Sequence, residues 1–131
     1  MDYHVRRLDH LVVNCRDVER TAAWYERVLG MDIERFGADA RIALHFGGQK
    51  LNLRPTGAER WEAAENDAPG TQDLCFVVGF SPADTLGHLA ACGVPAIEGP
   101  VVRQGALGPM ESIYCRDPDG NLVELARYPD D

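Results

Sequence analysis

The chain contains its own first half twice, loosely. One copy runs Leu8-Asp9-His10-Leu11-Val12-Val13 and, after a helix-like stretch, reaches Leu29-Gly30-Met31. The other runs Gln72-Asp73-Leu74-Cys75-Phe76-Val77 and reaches Cys92-Gly93-Val94. His10 and Asp73 hold equivalent places, as do Gly30 and Gly93, and both pairs stand 63 positions apart. Whatever unit the first copy forms, the second must form a similar one. A residue type able to ligate a metal opens each copy, which implies one site built from two similar halves.

The local patterns give the unit. Leu8–Asn14 alternates as a strand, with His10, Val12 and Asn14 on one face and Leu11, Val13 and Cys15 on the other. Asp17 is an N-cap for a helix over Val18–Leu29 that closes at Gly30, and Ala22, Tyr25, Val28 and Leu29 form its apolar stripe. Strands follow at Met31–Phe36, Arg41–Phe46 and Gln49–Arg54, the last two joined by a Gly47-Gly48 turn. In the second copy Gln72–Val78 is a strand, and Ser81-Pro82-Ala83-Asp84 is a capping signal for a helix Ala83–Cys92 that ends at Gly93. Ile97–Val102, a Gly/Pro-rich loop over Gly105–Pro109, Glu111–Arg116, the turn Asp117-Pro118-Asp119-Gly120 and Asn121–Tyr128 complete it. Each copy therefore reads β-α-β-β-β. The expected class is α+β: two such modules forming a cupped mixed sheet around a central cavity, helices outside.

A length of 131 residues makes one domain over 1–131. Module one covers about 6–54 and module two about 71–128. The polar stretch 55–70 links them, with a short helix expected around Glu59–Glu65. A net charge of −8 and a pI near 4.9 argue against a nucleic-acid partner, which needs clustered Lys and Arg. The apolar runs, such as Leu74–Val78, are too short to span a bilayer. The first residues lack the apolar stretch of a secretion signal, so the expectation is a cytoplasmic chain without a membrane partner. Cys15, Cys75, Cys92 and Cys115 have no CxxC spacing and read as reduced, half-buried thiols.

Three segments carry a family resemblance: Leu8-Asp9-His10-Leu11-Val12-Val13, Ala23-Trp24-Tyr25-Glu26-Arg27-Val28-Leu29-Gly30-Met31, and Asp117-Pro118-Asp119-Gly120-Asn121-Leu122-Val123-Glu124-Leu125. They resemble the vicinal oxygen chelate superfamily, which includes glyoxalase I, the fosfomycin and bleomycin resistance proteins and the extradiol dioxygenases. Phe46-Gly47-Gly48-Gln49-Lys50-Leu51-Asn52-Leu53 is further similar to the subgroup of glyoxalase-domain-containing proteins. The resemblance spans nearly the whole chain. It speaks strongly for the fold and weakly for the reaction, because one scaffold hosts several chemistries.

The resemblance implies two metal ligands per copy, one on its first strand and one on its last: His10, Asn52, Asp73 and Glu124. The residue pattern agrees on direction. Leu51 and Leu53 flank Asn52, and Val123 and Leu125 flank Glu124, so each polar side chain points away from the helix-covered face. His10 suits Zn, Fe, Ni or Mn; its alternative role is a hydrogen-bonded histidine at a strand start. Glu124, in an apolar strand, needs a cation or a donor, whether a metal or an arginine such as Arg54 or Arg103. Asp73 stands where the family more often has histidine, and Asn52, a weak neutral ligand, where it has a stronger one. Glu124 and His45 are the expected catalytic residues, His45 as a general base or, equally, an outward surface histidine. Lys50, Arg54 and Arg103 are the expected substrate contacts; Arg103 precedes a flexible loop, Gln104–Pro109, where it would clamp an anion or simply be solvated.

Two functions compete. One is a metal-dependent enzyme, a lyase, isomerase or dioxygenase whose divalent ion binds two adjacent oxygens of a small substrate. The other is a metal-free protein that sequesters a small molecule, as in the bleomycin-resistance branch; Asn52 and Asp73 move weight toward it. Open sheets leave edges that a partner usually covers, so a homodimer is expected.

Overall fold

The computed structural model describes residues 1–130. The fold is α+β, with two four-stranded mixed sheets and two helices. By contacts the chain divides into two compact halves, Met1–Ala68 and the residues from Pro69 onward.

The first half contains β1 (His10–Cys15), α1 (Val18–Leu29), β2 (Asp32–Phe36), β3 (Arg41–Phe46) and β4 (Gln49–Pro55). Its sheet order is β1-β4-β3-β2, with β1 parallel to β4 and the other pairs antiparallel. Asp17 caps α1 by accepting from the Arg20 amide at 3.1 Å. Thr21, Ala22, Tyr25 and Val28 are the buried face of the helix. They meet a core of Val13, Cys15, Ile42, Leu44, Leu51 and Leu53, each 3% exposed or less. Leu8 lies before β1, which starts at His10.

The second half repeats the plan with β5 (Asp73–Val77), α2 (Pro82–Ala91), β6 (Glu98–Gly105), β7 (Gly108–Arg116) and β8 (Leu122–Arg127). Its order is β5-β8-β7-β6, again with a parallel first pair. Ser81 caps α2 by accepting from the Asp84 amide, with Pro82 in the first turn. Ile113, Cys115, Val123 and Leu125 pack with Leu89 and Val94 as its core. The Asp117–Asn121 turn is held from inside. Asp117 accepts from the Asp119 and Asn121 amides and from Asn121 Nδ2, and Asn121 Oδ1 accepts from the Gln72 amide. These motif residues therefore serve the fold, tying the β7–β8 turn to the start of β5.

Three local expectations are corrected. The segment 59–65 is turn and irregular chain, not helix. Gly57 and Arg60 take left-handed φ values of 78° and 61°, which a right-handed helix cannot contain. The segment is instead pinned to the first half: Arg54 Nη1 reaches Asp67 at 2.8 Å, Arg54 Nη2 reaches the Ala58 carbonyl at 2.9 Å, and the Gly57 amide reaches Asp67 at 2.9 Å. Second, Gln104–Pro109 is no loose loop. β6 and β7 pair through Gln104↔Pro109 and Gly105↔Gly108, so Arg103 lies in a strand. Gly108, at φ 126°, permits so tight a reversal. Third, Cys75 is exposed and Cys15 and Cys115 are fully buried, so the thiols are not uniformly half-buried; none is in a disulfide. Among the described residues no helix is long and apolar enough to cross a membrane.

Candidate functional site

Strand register decides which side chains share a face. In the first half His10 lies opposite Lys50, and Lys50 opposite His45; in the next row inward Val12, Asn52 and Ala43 are aligned. His10, Lys50, Asn52 and His45 therefore stand on one face, the face away from the Leu51–Leu53 core.

The His10 ring is oriented. Its Nδ1 lies 2.8 Å from Asp9 Oδ1, and the bond from His10 leads the causes that hold the Asp9 carboxyl below its ordinary value. An ionised carboxylate only accepts, so Nδ1 carries the hydrogen and Nε2 the lone pair of the neutral ring. A carboxylate behind the ring is the usual support of a metal-ligating histidine. Asn52 Oδ1 is buried and has no hydrogen-bond partner. Leaving such an oxygen dry costs about 1–3 kcal/mol, which a ligand donor or a cation would relieve. His45 Nε2 lies 3.1 Å from Glu34 Oε1, and the Lys50 ammonium sits 4.8 Å from the centre of the Phe36 ring. Arg54 is 4% exposed and bonds Asn14 Oδ1 at 2.8 Å as well as Asp67 and Ala58. Its guanidinium holds the 56–67 segment against the sheet.

In the second half the corresponding row is Cys75, Glu124, Tyr114 and Glu98 across β5, β8, β7 and β6. Glu124 is half-buried and accepts from Ser112 Oγ at 2.6 Å. Cys75 and Tyr114 lie opposite Glu124 on the two neighbouring strands. Partial burial of the sulfur in this otherwise exposed residue, then the Glu124 charge, pushes the Cys75 thiol up to about 11. Burial likewise raises Tyr114, opposed by a hydrogen bond from Arg103. Arg103 donates through Nε to Tyr114 Oη at 3.1 Å and pairs with Glu98 at 3.0 Å. Asp73 is exposed at the start of β5, two residues before Cys75 on the same face.

Of the residues expected at a site, the fold brings His10, Lys50, Asn52 and His45 onto one sheet face. It puts Asp73 and Glu124 on one face of the other sheet. Arg54 and Arg103 are already engaged with Asp67 and Glu98. Among the described residues no three His, Cys, Asp or Glu side chains gather where they could hold a metal ion. Ser112 and Tyr114 went unrecognised in the sequence. The signal was present: they alternate with Ile113 and Cys115, so they face the same side as Glu124 on the neighbouring strand.

The chain belongs to the Glyoxalase/Bleomycin resistance protein/Dioxygenase superfamily, whose family model matches residues 7–125. It is 52% identical over 126 residues to glyoxalase domain-containing protein RDO1 of Mycosarcoma maydis, covering 96% of this chain and 70% of that protein. It is 42% identical to virulence protein STM3117 of Salmonella typhimurium, covering 95% of this chain and 85% of that protein. Among solved structures, the integron cassette protein VCH_CASS1 from the mobile metagenome of V. cholerae superposes with a TM-score of 0.94 at 45% identity, covering 98% of this chain and 99% of that one. The fold alone is shared with a lactoylglutathione lyase from Agrobacterium tumefaciens (TM-score 0.73, 20% identity, 95% of each chain). It is shared equally with the antibiotic-binding protein TnmS3 from Streptomyces sp. CB03234 (0.74, 18%, 95% and 98%).

Proposed function

We propose that this protein is a metal-dependent enzyme acting on a small molecule that presents two neighbouring oxygens. One observation carries the reading: a buried Asn52 oxygen without a donor lies on the same sheet face as His10, whose ring Asp9 turns so that Nε2 holds the lone pair. With the carboxylates of Asp73 and Glu124 this donor chemistry fits a borderline or hard divalent ion, Mn, Fe, Ni or Zn. Such an ion, when bound, supplies Lewis-acid polarisation of the substrate oxygens.

The chain's own residues do the rest. Glu124, already bound by the Ser112 hydroxyl, is the proton-moving carboxylate. His45, with Glu34 behind it, is the second acid–base group. Lys50 is the cation left for an anionic substrate group, while Arg54 holds a loop and Arg103 holds Tyr114. The working unit is a homodimer formed in the cytoplasm. A monomer mass by light scattering at micromolar concentration overturns the dimer.

Metal content tests the function. The expected result is about one Mn, Fe, Ni or Zn per chain after reconstitution, with Glu124→Gln weakening affinity about tenfold more than Asn52→Ala, because a full charge is lost rather than a weak neutral donor. No metal under any condition overturns the enzyme reading. It leaves a sequestering protein, which is consistent with Asn52 and Asp73 replacing stronger ligands.

A further inference from the structure

We infer that Ser112 and Tyr114 on β7 are positioning residues that fix the orientation of the Glu124 carboxylate, with Arg103 setting the direction of the Tyr114 hydrogen. The inference rests on the reading of Glu124 as a functional carboxylate.

The donor inventory leaves little freedom. A carboxylate only accepts, so the Ser112 hydrogen points to Glu124 Oε2 across 2.6 Å. Ser112 is 0% exposed, so no water competes for it. Tyr114 has one hydrogen. Arg103 can only donate, and its Nε lies 3.1 Å from Tyr114 Oη, so the tyrosine oxygen accepts there and its own hydrogen is free to turn toward Glu124, the residue opposite it on β8. Glu98 pins the far end of Arg103 at 3.0 Å. The chain Glu98–Arg103–Tyr114 thus runs from β6 to β7 and ends opposite Glu124 on β8. Ser112 approaches Glu124 from the neighbouring inward position on β7. The carboxylate is held by the Ser112 hydroxyl and faces that of Tyr114 on the same strand, and neither is itself a metal ligand. Supports of this kind set ligand orientation and are worth about 10–100-fold in metal affinity.

The test titrates the metal-free protein with Mn and with Zn, and measures unfolding in urea without metal. Ser112→Ala is expected to weaken metal affinity about tenfold or more, with Ser112→Thr restoring it and Tyr114→Phe giving a smaller loss. A merely structural serine would not show rescue of affinity by threonine. The second measurement is a double-mutant cycle of Ser112→Ala with Glu124→Leu in urea, where a coupling of about tenfold in the unfolding constant is expected. If the parent protein binds metal and Ser112→Ala binds it equally well, the positioning role is overturned and the enzyme reading stands. If the parent binds no metal, the enzyme reading fails, and the cycle decides: coupling of about tenfold supports the positioning of Glu124, coupling near unity overturns it.

Discussion

In the first half the central inward position of the sheet holds an amide, Asn52, flanked by Val12 and Ala43; in the second it holds a carboxylate, Glu124, flanked by Cys75 and Tyr114. The outer strand repeats itself, with Glu34 opposite Ala43 and Glu98 opposite Tyr114. One half gives its glutamate to His45 and the other to Arg103. The backbone plan is common to both, and the neighbours decide the chemistry. Apolar flanks leave the Asn52 oxygen without a donor, whereas Glu124 accepts from the Ser112 hydroxyl and has Cys75 and Tyr114 on its flanking strands. The halves also differ at the far end of this face, where the first carries a buried cation, Arg54, clamped to a loop.

That clamp gives the largest expected effect. Arg54→Leu removes the donor for Asn14, Ala58 and Asp67 at once, and should cost about 3 kcal/mol in unfolding free energy measured with urea. Amide hydrogen exchange should rise in 56–68 and leave β5–β8 unchanged. A change spread evenly over both halves would break the comparison. The same pair sets an acid limb. The hydrogen bond from Arg54, then that from the Gly57 amide, holds the Asp67 carboxyl below its ordinary 3.8. A carboxyl lowered on folding stabilises the fold above its unfolded value and loses that contribution as pH falls through the lower folded one. Stability should therefore be insensitive to Asp67 near neutrality and decline below pH 3.8, and Asp67→Asn should flatten that decline. An unaltered acid limb in the variant would mean that Asp67 does not carry it.

The central positions should respond with opposite signs. Glu124→Leu strands the buried Ser112 hydroxyl without its acceptor, and is expected to cost about 2 kcal/mol in the metal-free protein. Asn52→Leu removes a buried oxygen that has no partner, and is expected to stabilise by about 1 kcal/mol. Thermal unfolding of the two variants beside the parent reads both. A loss at both positions would show that Asn52 is as well satisfied as Glu124.

Most of the architecture could be read from the residues, and for identifiable reasons. Asp17 and Ser81 sit directly before the apolar stripes of α1 and α2, and the two-residue alternation around Asn52 and Glu124 assigns their faces without any tertiary information. The misreadings have a common cause. Glu59–Glu65 has helix-forming composition, but its geometry is imposed by Arg54 and by left-handed residues at Gly57 and Arg60. Gln104–Pro109 reads as a loop after Arg103 because Gly and Pro crowd there, although Gly105 and Gly108 make the reversal of a hairpin. At the site, His10, Asn52, Asp73 and Glu124 came from family pattern and alternation. The hydroxyls around Glu124 did not, because they depend on the register between β7 and β8, and a single sequence does not carry register.

The smallest effect tests whether the halves end their helices equivalently. Gly30 after α1 has φ 66° and Gly93 after α2 has φ 71°, left-handed values that an L side chain adopts at a cost. A Cβ at either glycine would meet nothing within 4 Å, so the cost of alanine is conformational and not steric. The capping bonds differ. The Gly30 amide returns to Glu26 and the Met31 amide to Tyr25, while Gly93 and Val94 return to Ala90 and Leu89 in the Schellman pattern. Both patterns need the left-handed residue, so Gly30→Ala and Gly93→Ala should each cost about 1 kcal/mol in urea unfolding, with neither exceeding the other severalfold. A negligible cost at Gly30 alone would mean that the turn after α1 tolerates refolding, and that only the Schellman end in the second half depends on its glycine.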